Sequence, residues 1–179
     1  MGSPKKLRKK YTPPRHPWQG ARIIAEKVLV REYGLKNKKE IYKALTFLRN
    51  FAKQAKNLVT IGSNQQEKEK EQLFTKLKKL NLINVPSLDH VLGLTLKDIL
   101  NRRLQTLVYK KGLAKTITQS RQFVSHGHIE VKGQKVVSPG YLVNVEEENE
   151  IKFVKNSNLS NAEHPERVIK EVQVKQKNE

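Results

Sequence analysis

The feature that most constrains the fold is a change of hydrophobic period at Gly127. Before it, apolar residues recur every three or four positions from Leu96 to Val108, which is the spacing of one helix face. After it, Ile129 and Val131 alternate with polar residues until a further glycine marks a turn. The sequence therefore predicts a helical segment that leads into a small antiparallel sheet.

Start and stop signals frame two helices before the sheet. Thr95 with Asp98, and Thr116 with Gln119, have the spacing of capping boxes, and Gly112 suits the end of the first helix. The segment "EIKFV" at 150–154 alternates again and is predicted to be the closing strand. We therefore expect an α+β unit over 95–155.

The first of these helices is predicted to run without interruption from residue 96 to Gly112. Its spacing turns Arg102, Gln105 and Thr106 outward and leaves Arg103 at the edge of the apolar face. In the second helix, Lys115 falls on the same side as Gln119, Gln122 and His126, with Arg121 next to it. Such a row of donors suits the phosphates of a nucleic acid.

The preceding region, 21–94, is predicted to be helical. One helix covers 21–33 and ends at Gly34, and a longer one runs from the N-cap Asn37 to about Asn57. The polar run "GSNQQEKEKEQ" at 62–72 is expected to interrupt the helices. A short amphipathic helix then covers 73–83.

Residues 1–20 are predicted to form an extended basic arm. Prolines at 13, 14 and 17 break helices, and the segment has too few apolar residues to bury a core. Tyr11 and Trp18 add aromatic faces on which bases can stack. The alternative is a disordered solubilising tail.

Charge points to a polyanionic partner. The net charge is +19, and residues 1–60 contribute 16 basic against 3 acidic residues. Release of counterions from phosphates supplies most non-specific nucleic-acid affinity.

The absence of cysteine excludes disulfides and thiolate metal sites. A transmembrane helix, a secretory signal and myristoylation are not expected.

The run "LNRRLQTLVYKKGLAKTITQSRQFVSHGHIEVKGQKVVSPGYLV" resembles the S-four RNA-binding domain. It contains that family's Arg-Leu, Gly-x-Ala, capping Thr, Ser-Arg-Gln and His-x-Ile-x-Val elements, followed by a glycine turn. Upstream, "PRHPWQGARI" and "EYGLKNKKEIYKALTFLRNFAKQAKNL" resemble the archaeal and eukaryotic type of the small-subunit ribosomal protein S-four family. The resemblance covers roughly 4–170.

This resemblance implies a structural constituent of the small ribosomal subunit in the cytoplasm, without enzymatic activity. Family members bind small-subunit rRNA at a multi-helix junction early in assembly, near the channel through which mRNA enters. The implied partners are that rRNA, neighbouring ribosomal proteins and mRNA at the channel, with no membrane. No metal or other cofactor is expected.

The expected division is an extended basic arm at 1–20, a helical rRNA-binding region at 21–94, the S-four domain at 95–155 and a tail at 156–179. Charge and helical spacing nominate basic residues in the arm, on the long helix and at a helix end. These are Lys5, Lys6, Arg8, Lys9, Lys10, Arg15, Lys39, Lys43, Arg49, Lys53, Lys110 and Lys111.

The family resemblance implies further RNA contacts in the S-four domain, with Arg121 and Gln122 as the strongest candidates. The contacts it implies are Arg102, Arg103, Lys115, Thr116, Arg121, Gln122, His126 and Lys132. Arg103, at the edge of the apolar face, is also a candidate structural residue.

Three alternatives are weaker. A metal at His126 and His128 needs two more ligands, and no acid or histidine cluster supplies them in the sequence. An RNA-modifying enzyme fragment needs a catalytic region, but 1–94 has neither a Gly-rich cofactor loop nor a carboxylate pair. A small ribosome-associated stress or assembly factor does not account for the helical N-terminal region.

Overall fold

The computed structural model describes residues 9–59, 64–161 and 164–166. Helices dominate and a small antiparallel sheet lies toward the C-terminus, which confirms the predicted α+β class. The elements are α1 Gly20–Glu32, α2 Lys38–Val59, α3 Asn64–Lys79, α4 Leu88–Leu92, α5 Leu96–Asn101, α6 Leu104–Lys110, α7 Ile117–Ser125, β1 Ile129–Val131, β2 Gln134–Lys135, α8 Val145–Glu148, β3 Ile151–Phe153 and a 3-10 turn Asn158–Ser160.

The long helix α2 organises the N-terminal half, because α1, α3, α4 and α5 all pack against it. Toward its start, Ile41 and Ala44 form a core with Leu100 of α5. Toward its end, Phe51 and Ala55 form a second core with α3 and α4. Its observed bounds agree with the helix predicted from Asn37 to about residue 57.

The polar run at 62–72 was predicted wrongly as an interruption, because α3 is already helical from residue 64. Glutamine, glutamate and lysine are good helix formers, and a solvent-facing turn needs no apolar residue. The Gln65 side chain donates to Glu69 one turn later, at 3.4 Å. Leu73 and Leu77 then carry the apolar face that holds the helix on α2.

The helix predicted as continuous from residue 96 to Gly112 is in fact two helices, α5 and α6, separated at Arg102 and Arg103. The backbone there pairs with the segment before α8. Leu104 N donates to Tyr141 O at 2.8 Å, and Val143 N donates to Arg102 O at 3.1 Å. This distant pairing replaces the local helical bonds, and periodicity alone could not reveal it.

The break also changes which side chains face inward. Arg102, Gln105 and Thr106 were predicted to point outward, but all three are buried. The predicted cap signals before α5 and α7 are confirmed, since Thr95 forms a capping box and the Thr116 side chain accepts from Gln119 N. The error therefore lay in the continuity of the helix, not in its start.

The sheet has the order β2-β1-β3 and is antiparallel. Ile129 pairs with Phe153 and Val131 with Ile151, as expected from the alternation. These side chains meet Leu104 and other residues of α6 and α7 in a core of their own. The segment from α6 to the 3-10 turn thus has a core of its own, whereas α5 contributes Leu100 to a core on α2.

Candidate nucleic-acid interface

An internal ion cluster joins the S-four unit to α2. Glu40 lies in the first turn of α2, where Arg103 Nη2 approaches its Oε2 to 2.6 Å and Arg121 Nη2 approaches its Oε1 to 2.7 Å. The Arg103 side chain is 7% exposed and that of Arg121 is 22% exposed. Both guanidinium groups, predicted as RNA contacts, are therefore engaged within the protein.

The cluster also sets the charge state of its carboxylate. Burial by itself would raise the pKa of Glu40, but hydrogen bonds from Arg121 and Arg103 outweigh it. The pKa of Glu40 consequently lies below its ordinary value of 4.5. One anion thus balances two cations, one from the α5–α6 break and one from α7.

Arg102 is likewise directed into the fold. Its side chain is 8% exposed, with Nη1 2.7 Å from Glu148 Oε2 and Nη2 3.0 Å from the Val143 carbonyl. It thereby ties the α5–α6 break to α8, which contains most of the acidic run at 146–150. One residue of this acidic run, Glu148, therefore makes an internal structural contact.

Gln105 forms a second, neutral link between the halves. It is fully buried, and its Nε2 donates to the carbonyls of Gly34 at 3.1 Å and Ile117 at 3.0 Å. Gly34 has a φ of +56°, and a Cβ there would lie 2.9 Å from Gln105 Nε2. The turn after α1, the helix α6 and the start of α7 are therefore packed around one amide.

The exposed cations on α2 lie on the opposite side from its cores. Lys39, Lys43, Arg49 and Lys53 are all exposed, and none forms an ion pair with another described residue. At about 100° per residue they occupy an arc of about 120°. The predicted basic face of α2 is therefore present as one continuous surface.

Four predicted contacts lie together around α7. Lys115, Thr116, Gln122 and His126 are exposed, and Thr116 caps the helix. Lys115 Nζ donates to the carbonyl of Pro165 at 3.0 Å, so the chain after the 3-10 turn passes beside this surface. We refer to these four side chains as the α7 surface.

The other predicted lysines in the S-four unit are exposed but partnered. Lys110 Nζ lies 3.2 Å from Asn101 Oδ1, and Lys111 donates to the Glu148 carbonyl. Lys132 Nζ lies 3.2 Å from Glu146 Oε2 at the surface. The Lys132–Glu146 pair is solvent-exposed, and surface ion pairs of this kind are worth only about 0–1 kcal/mol.

The arm follows α2 where it is described. Thr12 N donates to Thr46 Oγ1 at 3.0 Å. Lys9, Lys10 and Arg15 are exposed. The other arm residues nominated from the sequence, Lys5, Lys6 and Arg8, lie outside the described residues.

The two histidines on either side of Gly127 lie in different environments. His128 Nδ1 lies 2.9 Å from Ser157 Oγ, and its ring meets Phe123 edge-on, whereas His126 is exposed. Gly127 has a φ of +74°, as the bend requires. Within residues 9–59, 64–161 and 164–166 there is no group of three or more histidine or acidic residues that could hold a metal.

Glu40 was not among the functional residues predicted from the sequence. A usable signal existed, because Glu40 is the only acidic residue between Glu32 and Glu67. A single acid within a strongly basic stretch indicates a cationic partner. Its partners lie 63 and 81 positions away and could not be identified from spacing.

Comparison with known proteins covers both halves of the chain. The S4 domain family model matches residues 102–149. The chain is 52% identical to small ribosomal subunit protein uS4 of Methanococcus maripaludis and 51% identical to that of Methanococcus vannielii, in each case over 169 residues. Each match covers 93% of this chain and 95% of the relative.

Among the described residues, no helix is long and apolar enough to cross a membrane.

The identity and coverage extend through the helical region as well as the S-four unit, as the resemblance in the sequence predicted. The chain therefore belongs to the uS4 family of small ribosomal subunit proteins.

Proposed function

We propose that the chain is an rRNA-binding structural constituent of the small ribosomal subunit. The observation that carries the proposal is the exposed basic face of α2, present in a chain whose relatives are small ribosomal subunit proteins. Four cations on one helix face, with no ion pair to a described residue, suit a row of phosphates. The S-four unit adds the α7 surface to the same polyanion.

The proposed interface consists of exposed polar and basic side chains in the arm, on α2 and in the S-four unit. Its described members are Lys9, Lys10, Arg15, Lys39, Lys43, Arg49, Lys53, Lys110, Lys111, Lys115, Thr116, Gln122, His126 and Lys132. Lys5, Lys6 and Arg8 belong to it by charge and sequence position.

Arg102, Arg103 and Arg121 have a different role in this proposal. Their guanidinium groups contact carboxylates within the protein, and moving them to RNA would leave Glu40 or Glu148 without its partners. Breaking a partly buried pair in this way is costly. We assign these arginines to holding the interface elements in place.

The proposed domain division is the arm at 1–20, the helical region at 21–94, the S-four domain at 95–155 and the tail at 156–179. Within it, the family match starts at residue 102, and Leu104 is the first residue of the sheet-containing core. The helix α5 packs on α2 instead. This packing makes α5 the connection between the two RNA-binding parts.

The finer location is also part of the proposal. Binding at a multi-helix rRNA junction early in assembly, next to other ribosomal proteins and near the channel that admits mRNA, fits a protein with basic surfaces on two linked units. Two separate surfaces can hold two rRNA helices at a fixed relative orientation. The cytoplasmic small subunit is the corresponding location.

An RNA-modifying enzyme fragment and a small stress or assembly factor are less favoured. The similarity to uS4 proteins includes the N-terminal helical region, which neither alternative explains. The named relatives are ribosomal proteins, and the chain is accordingly a structural protein and not an enzyme.

Crosslinking in cells followed by sequencing of the attached RNA tests this proposal. We expect crosslinks concentrated in small-subunit rRNA, with a reduced yield when Lys43 and Lys53 are changed to glutamine. Replacement of Lys68, an exposed lysine that lies between Glu67 and Glu69 on α3, is the control. Crosslinks spread over unrelated RNAs, or an equal yield from the Lys43/Lys53 variant, would contradict it.

A further inference from the structure

Trp18 presents its indole to solvent just before α1. It is 89% exposed, the highest value among the large hydrophobic side chains of the described residues. A tryptophan in a fold usually buries most of its ring or presents it to a partner. Its exposure therefore requires an explanation beyond the packing of this chain.

The backbone beside Trp18 is held by α1. Arg22 Nη2 donates to the carbonyls of His16 at 3.1 Å and Pro17 at 2.8 Å. The Arg22 guanidinium itself contacts Glu26 and lies 3.3 Å from the Tyr42 hydroxyl. Because the chain is fixed immediately before Trp18, little backbone entropy is lost when a ligand engages the ring.

The other aromatic residue of the arm is not presented in this way. The Tyr11 ring lies 6.4 Å from that of Tyr42, tilted by 31°, and is half-buried. It fastens the arm to α2. Tyr11 and Trp18 look equivalent in the sequence, but in the structure Tyr11 lies against Tyr42. Of the two, Trp18 alone has an aromatic face open to solvent.

The charge around Trp18 identifies the class of ligand. The first acidic residue of the chain is Glu26, whereas seven basic residues precede it. Lys9, Lys10 and Arg15 are exposed in the described part of the arm. A flat aromatic face in a purely cationic segment fits a nucleotide, because the base stacks and the neighbouring phosphates meet the cations.

We propose that Trp18 is a base-stacking residue that takes an unpaired nucleobase of the RNA. The inference rests on the proposed function, since it assumes that RNA is the partner. Stacking accepts any base, so Trp18 contributes affinity and a fixed contact point without reading sequence. The RNA segment at this point is single-stranded, because bases within a duplex do not offer a free face.

The experiment uses the intrinsic emission of Trp18, the single tryptophan of the chain. The full-length protein is titrated with a transcript of archaeal small-subunit rRNA, and binding is measured in parallel by filter retention. We expect the emission to be quenched as the RNA binds. Trp18→Ala should weaken binding about 5- to 150-fold, the range for loss of one stacked base.

Two further variants separate stacking from simple apolar contact. Trp18→Phe keeps a π-face and should retain most of the affinity, whereas Trp18→Leu keeps apolar area alone and should behave like Trp18→Ala. Because Trp18 is exposed, all three variants should unfold at the temperature of the parent protein. Equal affinity of the Leu variant and the parent would overturn the proposal.

The outcomes also distinguish this inference from the proposed function. Tight RNA binding without quenching, and with no effect of Trp18→Ala, rejects stacking and leaves rRNA binding intact. Failure of the parent protein to bind the transcript overturns both. If Trp18→Ala binds RNA normally but is absent from reconstituted small subunits, the ring contacts a protein through a patch such as exposed Ile24 and Val28, and stacking is rejected.

Discussion

The Arg121 guanidinium binds the Glu40 carboxylate in a two-point contact. Arg121 Nη2 lies 2.7 Å from Oε1 and Nη1 lies 3.2 Å from Oε2, across 81 positions of sequence. Paired, parallel hydrogen bonds of this kind are stronger and more directional than a single charged contact. Arg121, which the sequence nominates as an RNA contact, therefore links the S-four unit to α2.

Replacement of Glu40 by glutamine should destabilise the fold. The change removes the anion that balances Arg103 and Arg121, and we expect the free energy of unfolding to fall by about 2–3 kcal/mol in urea titrations. Glu32→Gln is the control, because its pair with Lys97 is exposed and 3.7 Å long. An equally small decrease in the free energy of unfolding in both variants would contradict this prediction.

The same cluster predicts a pH dependence. The folded-state pKa of Glu40 lies below the ordinary 4.5, so its contribution to stability is present above pH 4.5 and is lost as pH falls through the folded pKa. The stability difference between the parent and Glu40→Gln should therefore be constant near neutral pH and shrink on acidification. Urea unfolding of both proteins from neutral to acidic pH measures this difference. A difference in unfolding free energy that stays constant or grows on acidification would contradict the prediction.

A glycine pair tests the packing around Gln105. Gly34 and Gly112 both have positive φ, but a Cβ meets Gln105 and Ile117 closely only at position 34. Alanine at either position should cost about 1–3 kcal/mol for the strained backbone. Gly34→Ala should cost more, because the added methyl displaces the buried amide, and thermal unfolding of the two variants gives the comparison.

The basic face of α2 should act through phosphates alone. Changing Lys43 and Lys53 to glutamine should leave stability within about 0.5 kcal/mol, since both are exposed. The slope of log affinity against log salt should fall by about 0.7–0.9 for each phosphate that is no longer neutralised by a lysine. Lys68→Gln, which removes an exposed charge from α3, should leave that slope unchanged in filter-binding assays.

Local signals predicted most elements of this fold. The capping residues Thr95 and Thr116 begin helices where expected, and the alternation from Ile129 gives the strand paired with β3. These features depend on neighbours within a few positions. Interactions of that range are visible in a sequence.

The wrong predictions concern places where segments that are distant in the sequence meet in the fold. The helix break at Arg103 depends on pairing with Leu142, and the burial of Gln105 follows from that break. In the candidate interface, the described lysines that the sequence nominates by their charge are also exposed in the structure. Charge and exposure disagree for Arg102, Arg103 and Arg121, because the carboxylate partner of each lies at least 46 positions away.

The most direct test compares Arg121→Gln with Lys115→Gln in the full-length protein, with urea unfolding and rRNA affinity measured for each at about 150 mM salt. We predict that Arg121→Gln lowers the free energy of unfolding by about 2 kcal/mol, while the folded variant binds RNA within about twofold of the parent. Lys115→Gln should show the reverse, with unchanged stability and weaker binding. Unchanged stability together with a strong reduction of RNA affinity in Arg121→Gln would contradict the assignment of the internal arginines to the fold.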